Sequence, residues 1–167
     1  PGQHAPSWYA ASLPPDRERA PLKGDVTADV AILGAGFTGL WAALTLARAG
    51  RSVVVLDAHR VGFGASGRNG GQVNLGFNQS QQKLEAQLGE ARARALWELA
   101  GDARAQLRHF CKTHAPEASY RPGSAFAEYS PRAVAELRDE AAFLENRYGY
   151  RLEVMDRPDF SELVRSP

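Results

Sequence analysis

The stretch that decides the fold runs from Ala28 to Ala58: "ADVAILGAGFTGLWAALTLARAGRSVVVLDA". Its opening, "DVAIL", is short and nearly all apolar, the pattern of a parallel strand covered on both faces. A glycine turn follows. Then "TGLWAALTLARAG" places Leu40, Ala43, Leu44 and Ala47 at helical spacing, with Gly50 as a stop signal. "SVVVLD" is a second apolar run, rich in β-branched valine. The order predicts a β-α-β unit. A membrane span through 28–50 does not fit, because that run holds Asp29, Arg48 and four glycines, and a strand-like run follows at once.

Within this unit "GAGFTG" (Gly34 to Gly39) matches G-x-G-x-x-G at the place where the pattern carries a mechanism, between strand and helix. In a dinucleotide-binding turn Gly34 makes the tight bend and Gly36 lets a pyrophosphate approach the backbone. Gly39 lets helix and strand pack closely. The helix amino terminus offers unpaired N–H groups and partial positive charge to phosphates. Asp57 ends the second strand, where an acidic residue can accept from the adenosine ribose hydroxyls. A ribose 2′-phosphate would meet Asp57 as a second anion. Arg60, the residue that could accommodate NADP, stands beyond the strand end.

The next segment separates NAD from FAD. A typical NAD domain continues through a loop into another crossover helix. Here the chain runs "HRVGFGASGRNGGQV", and five of the ten residues from Gly62 to Gly71 are glycine. Such a segment can offer successive backbone N–H groups to a long cofactor lying beside it.

These residues carry a family resemblance. "SWYAAS" (Ser7 to Ser12), "ADVAILGAGFTGL", "VVVLDAHRVGFGASGRNGGQV" and, more loosely, "YRPGSAFAEYS" (Tyr120 to Ser130) are similar to the amino-terminal part of the D-amino-acid-oxidase-like FAD-dependent oxidoreductases. Within them the sequence looks like the subgroup of gamma-glutamylputrescine oxidase. The resemblance implies FAD held in a two-domain protein, with hydride passing from a C–N bond of an amine or amino acid to the flavin, then imine hydrolysis. Carried over by position, it implies that Gly34, Gly36, Phe37, Thr38 and Gly39 form the phosphate turn. It puts Asp57, in place of the family's more usual glutamate, with Ala58 and Arg60 beside the adenosine. Ala65 and Ser66 face the pyrophosphate, and Arg68, Asn69, Gly70, Gly71 and Gln72 pass the isoalloxazine ring. The residues' own alternative for Arg68 and Asn69 is to brace the loop, and for Ser66 to be a plain turn residue.

The fold expectation is α/β: a partial Rossmann-like FAD-binding βαβ unit, then helices, then the beginning of an α+β substrate domain. Residues 1–27 read as an extended arm pinned by Trp8 and Tyr9, 28–115 as the FAD-binding portion with following helices, and 116–167 as an incomplete start of the substrate domain. Leu84 to His114 reads as mostly helical, with Leu96, Leu99, Ala103, Leu107 and Phe110 on one face and a solvated mixture of charges elsewhere. Strands are expected at 120–130 and 150–156, a helix over Pro131 to Gly149, and a short helix in "RPDFSELV". Members of the family are longer, so the chain reads as an amino-terminal portion of a longer enzyme or a truncated product, exposing apolar surface and prone to self-association.

Bulk properties exclude several alternatives. With 167 residues and a net charge of +1, no strong field draws the chain to nucleic acid or a membrane surface. A single cysteine, Cys111, rules out an internal disulfide, a C-x-x-C motif and a cysteine-based zinc site. The first stretch lacks the basic start and apolar core of a secretory signal, so the expected location is cytoplasmic. His59, His109 and His114 have no partner at metal-site spacing, and His4 lies in the arm. All four are assigned to structure or solvent, and no metal is expected. No Ser-His-Asp set or carboxylate pair stands out, so no catalytic side chain is assigned. That suits a protein whose cofactor carries the chemistry. The other readings are a non-catalytic FAD- or nucleotide-binding module needing a partner chain, and a piece of an NAD(P)-dependent dehydrogenase.

Overall fold

The structure is a computed structural model that describes residues 4–13 and 19–163. The chain divides into two compact units, one ending at Gly71 and the other beginning at Gln72.

The first unit contains helix α1 (Trp8–Ser12), strand β1 (Val30–Leu33), helix α2 (Phe37–Arg48) and strand β2 (Val53–Leu56). β1 and β2 pair in parallel, from Val30 opposite Val53 to Leu33 opposite Leu56, and α2 packs on both. This is the expected Rossmann-like βαβ element. The valines of β2 are half-buried throughout. β1 instead alternates, and Leu33 is 84% exposed, so coverage on both faces is not found there. On α2, Ala43 and Leu44 are half-buried while Leu40 and Ala47 are exposed.

Both ends of the two-stranded ladder are tied by carboxylates. At its start Asp29 Oδ2 accepts from Ser52 N–H (2.8 Å) and Ser52 Oγ–H (2.9 Å), while Asp29 N–H donates to Ser52 Oγ at 2.9 Å. These bonds, the Ser52 N–H first, hold the Asp29 carboxyl below its usual range. At the far end Asp57 plays a similar part, described below.

The arm is not wholly extended. Ser7 Oγ accepts from Ala10 N–H and caps α1. Trp8 is 80% exposed and so pins nothing. His4 meets the unit instead, stacked 6.1 Å from the Phe63 ring. The parts of the arm at 1–3 and 14–18 lie outside the described residues.

The second unit is helical among its described residues: α3 (Gln81–Leu88), α4 (Glu90–His114), α5 (Pro131–Tyr148) and α6 (Arg157–Leu163). Gly89, at φ +81°, ends α3 and begins α4, so the helix expected from Leu84 to His114 is two. α5 runs as expected, with Ser130 Oγ capping Ala133 N–H, Pro131 in the first turn and Gly149 after the end. The last residue of the final expected helix, Val164, lies outside the described residues.

The strands expected at 120–130 and 150–156 do not form. An extended segment becomes a strand only when a neighbour takes its N–H and C=O groups, and no described segment pairs with either. Tyr129 accordingly is 95% exposed.

α3 packs against α4 and α5 around Leu84, Ala93, Ala141 and Leu144. At the centre Gln81 is only 3% exposed. Its Nε2 donates to Ala93 O (2.8 Å) and to Tyr148 Oη (2.9 Å), and its N–H donates to Glu140 Oε1 at 3.1 Å. Tyr148 in turn donates to Glu85 Oε1 at 2.7 Å, and Arg147 pairs with Glu85 (3.2 Å) and Glu90 (2.9 Å). The Tyr148 hydroxyl is the largest cause holding the Glu85 carboxyl down, with Arg147 adding to it. Burial first, then the hydrogen bond to Glu85 and its charge, pushes the Tyr148 hydroxyl up against the opposing bond from Gln81. Trp97 packs at 5.2 Å from the Tyr148 ring and 5.4 Å from the Tyr150 ring, and Arg104 donates to Tyr150 Oη at 3.2 Å. Part of the charge mixture on α4 is therefore an interhelical network. Leu99 and Ala103, expected inward, are exposed, while Trp97, Ala100 and Arg104 are half-buried.

Candidate functional site

Three segments distant in sequence converge where β1 gives way to α2. Gly34, at φ +107°, turns the chain while its N–H donates to Leu56 O at 2.7 Å, extending the ladder one residue past β1. Ala35 is buried and held on both sides of its backbone. Its N–H donates to Asp57 Oδ2 (2.7 Å), and its carbonyl accepts from Gly62 N–H at 2.9 Å. Phe37 N–H, at the first turn of α2, donates to Ser66 Oγ at 2.9 Å. Thus the turn, the end of β2 and the glycine-rich stretch form one constellation.

The glycines there fall into two kinds. A Cβ on Gly39 would collide with the Gly34 carbonyl oxygen and stand 3.2 Å from Ile32 Cγ2. A Cβ on Gly67 would collide with the Gly62 carbonyl oxygen, and one on Gly36 would stand 2.9 Å from Ser66 Oγ. Packing against backbone demands Gly39 and Gly67, whereas the neighbour at Gly36 is a rotatable hydroxyl. Gly64 and Gly70 have neither a protein atom within 4 Å of the Cβ position nor a left-handed backbone. Their small size leaves backbone open to an approaching group.

Side chains brace the stretch. A single 3-10 turn spans Ala65–Gly67. Asn69 Nδ2 donates to the carbonyls of Ala65 and Ser66 (3.0 Å each), and Asn69 Oδ1 accepts from Gly71 N–H at 2.9 Å. Arg68 Nε donates to Phe63 O at 3.1 Å, and its guanidinium lies 5.1 Å from the Phe63 ring centre. His59 stacks on the same ring at 4.1 Å. Ala5, Ser7 and Ala10 of the arm face Val61, Gly62 and Ser66 across a cleft of about 180 Å³.

The start of α2 brings partial positive charge to the turn, and the Asp57 carboxylate bonded to Ala35 N–H brings a negative one. α2 has no acidic residue in its first turn, and its cap, Gly36, presents no side chain. Ser66 Oγ uses a lone pair on Phe37 N–H, so its own proton can be donated onward. Asp57 accepts Ala35 N–H on one oxygen and His59 N–H (2.7 Å) on the other. These two bonds, Ala35's first, hold its carboxyl below the usual range, so it is ionised at neutral pH.

The structure thus brings Gly34, Gly36, Phe37, Thr38, Gly39, Asp57, Ala58, Arg60, Ala65, Ser66, Arg68, Asn69, Gly70 and Gly71 into the first unit. Gln72 opens the second. Sequence reasoning passed over Ala35 and Phe63, while His59, assigned to structure or solvent, stacks on Phe63. An aromatic ring set among glycines was the visible signal for Phe63, whereas Ala35 left none. Among the described residues no cluster of His, Cys, Asp or Glu could hold a metal, and no helix is long and apolar enough to cross a membrane.

A parallel βαβ element with this turn at its helix start is of the Rossmann-like class. Comparison gives the family: the model described as "DAO: FAD dependent oxidoreductase" matches residues 29–166, and the chain belongs to that family. It is 38% identical over 154 residues to the "Probable oxidoreductase OrdL" of Rhizobium meliloti (strain 1021), covering 92% of this chain and 36% of that protein. It is 38% identical over 155 residues to the "Gamma-glutamylputrescine oxidoreductase" of Escherichia coli (strain K12), covering 92% and 36%. A similar relative in Haemophilus influenzae, also "Probable oxidoreductase OrdL", is 34% identical over 165 residues, covering 98% and 38%. The chain therefore spans little more than a third of the length of these relatives. No solved structure matches it.

Proposed function

We propose that this chain is the FAD-binding start of an oxidoreductase acting on a C–N bond of an amine or amino acid, nearest in kind to the gamma-glutamylputrescine-oxidising subgroup. The observation that carries the reading is the convergence of the glycine turn, Asp57 and Ser66 at the amino terminus of α2, in a chain of this family. Gly34, Gly36, Phe37, Thr38 and Gly39, with Ala65 and Ser66, would form the pyrophosphate site, Gly34 through its bend, since its N–H is held by Leu56 O, and the start of α2 through backbone N–H groups joined by one hydroxyl. Asp57 would take the adenosine ribose hydroxyls, beside Ala58 and Arg60. Arg68, Asn69, Gly70, Gly71 and Gln72 would lie along the flavin ring, Arg68 and Asn69 by keeping the loop in shape. When bound, FAD supplies a two-electron acceptor for hydride. In this reading residues 28–115 serve the cofactor and 116–167 begin the substrate domain, with a cytoplasmic location.

The test is direct. The purified protein, with FAD added where needed, is expected to show flavin absorbance at one per chain. The chain by itself is expected to be inactive, so turnover is read on a full-length version, which should consume amines, with peroxide release if oxygen reoxidises it. No flavin binding under any condition would overturn the reading. Flavin binding by the full-length version without turnover of any amine or amino acid would favour a non-catalytic module.

A further inference from the structure

We propose that Asp57 is a positioning residue that latches the glycine turn shut, each of its carboxylate oxygens holding a different backbone N–H. Asp57 Oδ2 takes the N–H of Ala35, 22 residues earlier, and Oδ1 takes that of His59, each at 2.7 Å. Such distances are those of charge-assisted bonds. The Ala35 peptide passes the constraint on, because its carbonyl accepts from Gly62 N–H at 2.9 Å. One carboxylate thus joins the end of β2, the glycine turn and the glycine-rich stretch.

This differs from gripping a ribose. An ionised carboxylate offers about four lone-pair sites, so two remain for hydroxyls after the latch is made. The latch itself needs two acceptor atoms. An amide has only one, and its NH₂ would face either Ala35 N–H or His59 N–H as a second donor. Glutamate has two acceptors on a longer stem and must fold back to reach the same pair. The other end of the ladder supplies the control: Asp29 also takes two donors, but both come from Ser52, and none from the turn.

The consequence for cofactor binding rests on the function proposed above, whereas the latch does not. Hydrogen exchange of the FAD-free protein therefore comes first, read at single amides. In the wild type the Ala35 amide is expected to be protected. In Asp57→Asn it should exchange roughly tenfold faster or more, the factor that corresponds to losing about 1.4 kcal/mol. Asp57→Glu should lie between, and Asp29→Asn should leave Ala35 unchanged. Gly34 N–H, bonded to Leu56 O, serves as an internal reference for folding. If Asp57→Asn does not fold, Asp57→Glu against wild type decides. Equal Ala35 exchange in wild type and in the folded Asp57 variants would overturn the latch. FAD titration of the same proteins follows. Weaker binding in Asp57→Asn together with faster Ala35 exchange supports the proposal, while weaker binding with unchanged exchange overturns it in favour of a ribose contact alone. A wild type that protects Ala35 but binds no FAD sinks the functional reading and leaves the latch standing.

Discussion

The two units hold themselves together by opposite means. In the first, the decisive contacts end on backbone, whether from other backbone groups or from the Asp57 carboxylate, the Ser66 hydroxyl and the Asn69 amide, and side chains are missing where the chain folds most tightly, at Gly39 and Gly67. In the second, helices are joined by side chains: Gln81, Tyr148, Glu85 and Arg147 link α3 to α5, and Trp97 and Arg104 reach Tyr148 and Tyr150 from α4. Backbone kept bare is backbone that can still bond to something else. Helices knitted by polar side chains have already used those groups on one another.

The harshest way to break the contrast is Gly39→Ala. Its single added carbon collides with a carbonyl oxygen of the turn, and the expected loss is about 3 kcal/mol, at the upper end for overpacking. Urea unfolding measures it, and flavin content should fall with it. Unchanged stability would mean that the turn is looser than its geometry. Gln81→Ala tests the other unit. It removes a buried amide that serves Ala93 O and Tyr148 Oη, so about 2 kcal/mol should be lost. Gly36→Val should cost less stability than Gly39→Ala but abolish flavin binding, because the side chain displaces Ser66. A variant that retains stoichiometric flavin would remove the turn from the site.

Acid titration sharpens the comparison further. Asp57 and Glu85 both ionise more readily folded than unfolded. The unfolded chain therefore binds these protons first as pH falls. The contribution is fully present above the ordinary carboxylate values of 3.8 and 4.5 and is lost as pH drops through the lower folded ones. Glu85→Gln should flatten the acid limb of the unfolding curve, and an unaltered limb would show that its partners do not discriminate the charged form. The smallest effect is expected at Arg132→Ala. The Arg132–Glu136 pair on α5 is exposed at both ends, and its loss should leave the midpoint of the same denaturation assay unchanged.

The same contrast explains what could be read from sequence. The βαβ element was legible because strand composition, helical period and glycine spacing all act within a few residues. So was α5, whose Ser130, Pro131 and Gly149 mark their own ends. The segments 120–130 and 150–156 have strand-like composition, but a strand is a property of a pair, and composition cannot supply the partner. The inward face of α4 was misjudged because aromatic and arginine side chains, not leucines alone, make its contacts. In the site, residue types pointed to the turn, Asp57 and Ser66. The bonds that Asp57 and Ser66 make to Ala35 and Phe37 cross 22 and 29 residues and depend on how the segments meet.

The bond from Phe37 to Ser66 has a last consequence. A helix start with unclaimed donors competes for whatever acceptor is nearest, water or stray anion. Here the chain carries its own placeholder, a hydroxyl on a single rotatable bond. One torsion, χ1 of Ser66, therefore decides whether Phe37 N–H is held within the chain, and through it the helix start and the glycine-rich loop share a single degree of freedom.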